Sequence, residues 1–232
     1  MSPAFQQKLL YVALASCFSA GAGANPTGPA VVAGSVSFQQ SGNALNITNS
    51  PGAIINWQGF SIGANEVTRF IQSGASSAVL NRVVGSDPTN ILGKLLSNGQ
   101  VFLINPNGVF IGGGAVIDVG AFVASSLKIS DADFLAGRLR FDGVEGAGRL
   151  VNQGSISTAQ GGKVYLIAPD IENHGLITSP GGEITLAAGR KVELVSASSP
   201  NLRVELSAPE DKALNIGRII ADAGQVGIFG TT

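Results

Sequence analysis

Three stretches of the chain lie over one another: "NQGSISTAQGGKVYL" from Asn152, "NHGLITSPGGEITL" from Asn173 and "NIGRIIADAGQVGI" from Asn215. Each opens Asn-x-Gly-x-Ile and closes Gly-x-Val/Ile-x-Leu/Ile, the second half carried by Gly162, Val164 and Leu166, by Gly182, Ile184 and Leu186, and by Gly224, Val226 and Ile228. The starts are 21 and then 42 residues apart, one period and two. A unit this short holds two or three brief strands and cannot bury its apolar face alone, so it must stack on its neighbours. A period of about 20 residues fits one coil of a parallel β-helix.

The parts suit that geometry. Alternate strand residues, Val164, Leu166 and Ala168 or Ile184, Leu186 and Ala188, are expected to face the bore. Glycines are expected to supply positive φ at the corners, and asparagines to tolerate the same left-handed conformation there. At about 21 residues per coil and a rung spacing of about 4.8 Å, the chain would make at most about ten coils, an axis of about 45 to 50 Å. Two excursions lower that count. Residues 130–149, "SDADFLAGRLRFDGVEGAGR", concentrate charge, and residues 198–213, "SSPNLRVELSAPEDKA", put a strand-like "LRVEL" between turn signals, which accounts for the doubled spacing. An earlier, degraded form of the repeat runs through Gly99, Val101 and Leu103 and through Asp118, Gly120 and Phe122.

Composition limits the function classes. With 12% charged residues and a formal net charge of −1, the chain cannot hold nucleic acid electrostatically. Residues 1–24 read as a signal peptide: Lys8, the apolar run "LLYVALASCFSA" and then "AGA" place cleavage between Ala24 and Asn25. The run is shorter than the roughly 20 apolar residues a membrane-spanning helix needs. A competing reading takes "LASC", residues 14–17, as a lipoprotein box with Cys17 lipidated, which would make the chain a stand-alone surface lipoprotein. Cleavage after Ala24 removes the only cysteine, so residues 25–232 form a domain with neither a disulfide nor a Cys-ligated metal.

Catalytic chemistry has little to stand on. The single histidine, His174, takes a variable position of the repeat, matched by Gln153 and Ile216, and no triad forms around it. Asp131 and Asp133 would share one face if extended, but a pair in a charged loop reads as a solvated turn, so no metal and no cofactor is expected. The glycines of residues 112–120 lack a phosphate-binding pattern and read as a corner between coils. Trp57, the only tryptophan, is expected to cover one end of the core. A β-helix carbohydrate-active enzyme would require a carboxylate cluster in a groove. The last recognisable rung, "GQVGIFGTT", has no cap, which is expected of a fragment of a longer protein or of a shortened member.

The tetrapeptide Asn105-Pro106-Asn107-Gly108, between "VFLI" and "VFIG", is a tight turn by its own chemistry. Pro106 fixes φ at the second position, Asn107 suits the third, and Gly108 supplies a left-handed residue after them. Its surroundings add to this. Residues 77–125, "SAVLNRVVGSDPTNILGKLLSNGQVFLINPNGVFIGGGAVIDVGAFVAS", together with "VNQGSI", "ENHGLIT" and "GGEITLAAGRKVEL", resemble the secretion domain of two-partner secretion exoproteins. This is the family of filamentous haemagglutinin and the high-molecular-weight adhesins, the latter being the nearer likeness. The resemblance implies an all-β fold, a right-handed parallel β-helix with extra-helical hairpins or loops and an N-terminal cap. It also implies a non-enzymatic role as the N-terminal secretion domain of an exported adhesin or haemagglutinin, delivered to the outside or the cell surface through Sec and the outer membrane. The implied partner is a TpsB-type outer-membrane β-barrel transporter that recognises the domain through its periplasmic domains. Host cell surface or glycans would be bound through downstream regions. By the same likeness Asn105, Pro106, Asn107 and Gly108 are the secretion motif. A second Asn-x-x-Gly motif of the family has no match, "IDVG" at residues 117–120 standing in its place.

Overall fold

The computed structural model describes residues 25–194, 202–205 and 211–230. The chain winds through three sheets in turn, as one coil illustrates: Ser155–Thr158 in the first sheet, Lys163–Ala168 in the second, Asp170–Asn173 in the third. The next coil repeats this with Leu176–Thr178, Glu183–Ala188 and Lys212–Asn215, and the last described strands are Arg218–Ile220 and Gln225–Phe229. The first two sheets have eight strands each and the third has five. At the head of each long sheet one strand runs antiparallel: Val36–Ser41 on Ala44–Asn49, and Ala30–Ala33 on Ala53–Trp57. Below them every pairing between coils is parallel, leaving seven stacked rungs in each long sheet. Seven rungs span roughly 30 Å at the usual strand spacing.

The repeats of the sequence are the stretches that pair. Val164, Ile184 and Val226 are partners on successive rungs, as are Asn152, Asn173 and Asn215. Val164, Leu166, Ala168, Ile184, Leu186 and Ala188 all face the bore with no exposed surface. Fully burying an aliphatic side chain of this size contributes about 1.5–3 kcal/mol, and stacking repeats it at every coil. Trp57 lies in the first coil beneath the antiparallel cap. Its ring stands edge-on to Phe38 of the cap and to Phe60, with centroids 5.7 Å apart, and its Nε1 donates to Asn81 Oδ1 at 3.0 Å.

The corner residues work differently from expectation. Positive φ belongs to Gly161 and Gly181, each one residue before the repeat glycine, and to Ala223 in the third repeat. The repeat glycines Gly162, Gly182 and Gly224 stack in a column in which a Cβ on each would strike the carbonyl oxygen of the glycine one coil before, beginning at Gly120. Gly154, Gly175 and Gly217 form a second column of the same kind. Close approach of coil to coil, and not backbone handedness, is what these positions require. The asparagines are not left-handed either. Asn152 and Asn173 are wholly buried and point inward, with Asn152 Nδ2 donating to Asn173 Oδ1 and Asn173 Nδ2 to Asn215 Oδ1, both at 2.7 Å. Asn173 both donates and accepts, and Asn152 Oδ1 takes the N–H of Gly154, so the ladder satisfies inside the bore what would otherwise be unpaired polar groups.

Two excursions leave the coils, both after a second-sheet strand and before a third-sheet strand. The first, between Ala121–Ser125 and Leu150–Asn152, holds a short helix Asp131–Leu135 and the strand Leu139–Asp142. Ser130 caps that helix, its Oγ accepting from Asp133 N at 3.0 Å, so "SDAD" is a helix start and not an extended stretch. The second follows Ala188 and contributes Lys191–Leu194 and Leu202–Glu205. Residues 195–201 and 206–210, which overlap the expected 198–213 excursion, lie outside the described residues. The three strands pair antiparallel in one small sheet. It covers the outer face of the second long sheet, where Phe102, Val123, Tyr165 and Ile167 pack under Phe134, Phe141 and Val192. The middle strands of the second sheet are therefore buried on both faces, which is why they read as unbroken apolar runs such as "KVYLIA", while its end strands Ala30–Ala33 and Gln225–Phe229 are largely exposed. The first sheet alternates, as in Ser155–Thr158. Arg82 fastens the excursion at its start, donating to Asp131 Oδ1 at 2.6 Å and to Ile129 O at 3.0 Å.

Removing one rung of the amide ladder tests its weight. Asn173→Ala leaves Asn152 Nδ2 and Asn215 Oδ1 without their partners and is expected to cost about 1–3 kcal/mol in urea unfolding. The adjacent surface change His174→Gln should stay within about 0.5 kcal/mol of the native chain.

Candidate functional site

Asn105–Gly108 joins the second-sheet rung Gln100–Ile104 to the third-sheet rung Val109–Ile111, at the same corner from which both excursions depart. Gly108 N donates to Asn105 O at 3.0 Å, closing the turn with Pro106 and Asn107 at its centre, and Gly108 has φ +106°. An L side chain there would be strained, and a Cβ would also meet Arg149 O at 2.8 Å.

The two asparagines have different surroundings. Asn105 is wholly buried. Its Oδ1 accepts from Asn107 N at 3.0 Å and from Asn107 Nδ2 at 3.2 Å, an Asx turn within the turn. Its Nδ2 donates to Asp87 O and to Thr89 Oγ1, both at 3.0 Å, tying the corner to the coil before. Asn107 is exposed and sends Nδ2 to Gly85 O at 2.9 Å. The coil after closes over the other side: Gly148 N donates to Pro106 O at 2.8 Å, Val109 N to Arg149 O at 3.1 Å and Asn105 N to Ser125 O at 2.9 Å. Gly148 lies so close that a Cβ would strike the carbonyl of Asn107. Thr89 and Gly148 therefore complete the site, although nothing local in the sequence marks them. Thr89 is found only by register, and Gly148 sits in a stretch that reads as a charged loop.

The other expected site residues lie apart from this corner. Ala24 and the signal segment 1–24 are outside the described residues. Asn25 is buried against the first coils, its Nδ2 donating to Asn43 O at 3.2 Å and its Oδ1 accepting from Thr68 Oγ1 at 3.0 Å. His174 faces outward beside Glu172, with Nε2 3.1 Å from Oε2, and Arg149 reaches the same carboxylate at 3.7 Å. Asp131 is paired with Arg82, and Asp133 with Ser130 and Arg138. The Ser130 hydroxyl, then Arg138, hold the Asp133 carboxyl below its ordinary range. Tyr165 donates to Glu183 Oε2 at 2.9 Å, and burial, then the adjoining carboxylate, push its phenol well up. A groove of about 660 Å³ runs along the second sheet beneath Phe134 and Leu135, between Gln100, Lys163 and Tyr165, and its lining contains no carboxylate.

Residues 22–232 match the family model of the TPS secretion domain. The chain is 32% identical over 254 residues to a heme/hemopexin-binding protein of Haemophilus influenzae, an alignment that takes in 82% of this chain and 28% of that protein. A second heme/hemopexin-binding protein of that organism is 42% identical over 74 residues, covering 32% of this chain and 8% of the relative. The crystal structure of the HMW1 secretion domain from Haemophilus influenzae superposes with a TM-score of 0.83 at 39% identity, covering 88% of this chain and 55% of that one. The chain thus spans about a quarter of the length of the first relative and about half of the solved chain.

The turn's hydrogen bonds separate its two asparagines energetically. Asn105→Ala deletes buried bonds on both sides and should destabilise by about 2–3 kcal/mol, whereas exposed Asn107→Ala should cost less than about 1 kcal/mol. Urea unfolding of the two single variants checks the order, and equal losses would contradict the division.

Proposed function

The chain belongs to the TPS secretion domain family, and from that we propose that it is the N-terminal secretion module of an exported surface protein. The observation that carries the reading is a family match over residues 22–232 combined with a β-helix that superposes on a secretion domain at 39% identity. Residues 1–24 act as a signal peptide for the Sec route and are cleaved before Asn25, and residues 25–232 are the module. This is supported by the "AGA" preceding Asn25 and by the bonds of Asn25 to the first coils. In the periplasm the module is recognised by the periplasmic domains of a TpsB-type transporter, with Asn105, Pro106, Asn107 and Gly108 as the motif read. The module itself catalyses nothing. Contact with host cell surface or glycans belongs to other parts of the exported protein.

Physical features of the chain suit passage through a barrel. A transported chain has to cross largely extended, and a sequence without cysteine after residue 24 has no cross-link to obstruct it. Each rung pairs with a partner 20 to 42 residues away, as at Val164, Ile184 and Val226, so coils can form one after another as they emerge. The antiparallel cap comes first in the chain and covers the head of the stack, leaving the far edge open to the next coil. Growth of the stack outside then draws the chain outward.

Three outcomes test this reading. Mass measurement of the exported chain should give an unmodified N-terminus at Asn25, and a diacylated Cys17 would instead make it a lipoprotein. Replacing Asn105 and Asn107 together should leave the protein in the periplasm, and undiminished export of a folded double variant would reduce the tetrapeptide to a turn. Ile184→Pro interrupts the ladder between Val164 and Val226 and should slow export as well as destabilise the rung. Normal export of that variant, once shown to misfold, would remove the pulling role of folding.

A further inference from the structure

We infer that the groove over the starts of the second-sheet strands binds a free long-chain fatty acid, its tail along the first four coils and its carboxylate at Lys163. The groove lies at the opposite end of those strands from the tetrapeptide turn.

Its floor is one column of residues in register. Gly52, Ala78, Gln100, Ala121 and Lys163 follow one another on successive rungs, from the first coil to the fifth. Glycine or alanine at Gly52, Ala78 and Ala121 leaves a trough of about 660 Å³, within the range of about 300–1,000 Å³ usual for small-ligand sites. One wall is the corner between the first and second sheets, at Ala75 and Gln160. The other is the first excursion, at Phe134, Leu135 and Gly137. Leu135 is 58% exposed and reaches over the head of the trough, where a Cβ on Gly52 would meet its Cδ2 at 3.4 Å.

Polarity changes along the length. Through the first four coils the groove meets Pro51, Ala78, Phe102, Ala121 and Val123, with Ser76 and Gln100 the polar side chains among them. In the fifth coil it meets Gln160, Lys163 and Tyr165. Lys163 brings the only charge of the described lining, and it makes no ion pair among the described residues. Its neighbour in register, Glu183, is engaged by the Tyr165 hydroxyl at 2.9 Å and by Thr185 Oγ1 at 3.4 Å.

A ligand complementary to this groove is slender, apolar for most of its length and anionic at one end. Four rung spacings separate Gly52 from Lys163, about 19 Å. An extended acyl chain of about 16 carbons, with C–C bonds of about 1.5 Å at tetrahedral angles, has that length. The floor is one side chain wide, so a two-chain lipid would leave its second chain in water. An extended peptide would set its backbone polar groups against alanine and phenylalanine. A bound fatty acid also covers Leu135 and fastens the first excursion to the first five coils.

Purified folded protein titrated with cis-parinaric acid, a long-chain fatty acid that fluoresces in apolar surroundings, should show a saturable rise ending at one probe per chain. Hexadecanoate should displace the probe, and octanoate or the methyl ester of hexadecanoate should need at least about tenfold more. Ala78→Trp fills the trough and should abolish binding in a chain that keeps its urea midpoint. Lys163→Gln, a change at the rim, should weaken hexadecanoate about tenfold and leave the ester unchanged. Absence of saturable binding, or full binding by folded Ala78→Trp, would overturn the site. Equal displacement by acid and ester, unaltered in Lys163→Gln, would overturn the placing of the carboxylate, and this arm decides even if Ala78→Trp does not fold. Retention of the native protein on phosphatidylglycerol vesicles free of fatty acid, lost in Lys163→Gln, would make the ligand a membrane lipid and overturn the free acid.

Discussion

Backbone hydrogen bonding between equivalent positions of successive coils is the constraint on which everything else in this molecule depends. Once Val164, Ile184 and Val226 are partners, their side chains must share the bore, and every corner must let one coil lie directly on the next. The two glycine columns follow from that approach, since a Cβ at Gly175 or Gly182 would strike a carbonyl of the coil before. The asparagine ladder follows too, because identical residues stacked at rung spacing can each donate to one neighbour and accept from the other.

Much of the fold was legible because the repeat encodes it locally. The period, the alternation into the bore and the pairing of Asn152 with Asn173 and Asn215 could be read directly, since each depends on what one coil demands of the next. The reasons assigned to the glycines and asparagines were less reliable. Both residue types suit left-handed corners and close stacking alike, and only the fold distinguishes Gly161, with φ +73°, from Gly162 beside it. Pairing of the two excursions was not legible, because Leu139 meets Leu194 across 55 residues without any repeated signal. The same limit applies at the turn: Asn105 to Gly108 could be read from residue chemistry, while Thr89 and Gly148 are brought there by register and by an excursion's return.

One corner of the coil carries the irregularity of the molecule. Both excursions, the tetrapeptide turn and the loop at residues 84–88 lie between the second and third sheets, whereas the corner between the first and second sheets is built from the tight glycine column. Extra chain at the open corner folds back over the second sheet and gives it a second buried face, so the insertions add core without disturbing the stack.

The small antiparallel sheet also changes how the stack bears load. A solenoid transmits force only from each coil to the next, so one pulled at its end unpeels rung by rung. Here Leu139–Asp142, leaving the fourth coil, is paired with Lys191–Leu194, leaving the sixth, and the fifth coil, Ser155–Asn173, lies between them. Tension applied beyond Phe229 strips the last coil singly and then meets a clasp joining three coils, which must yield together.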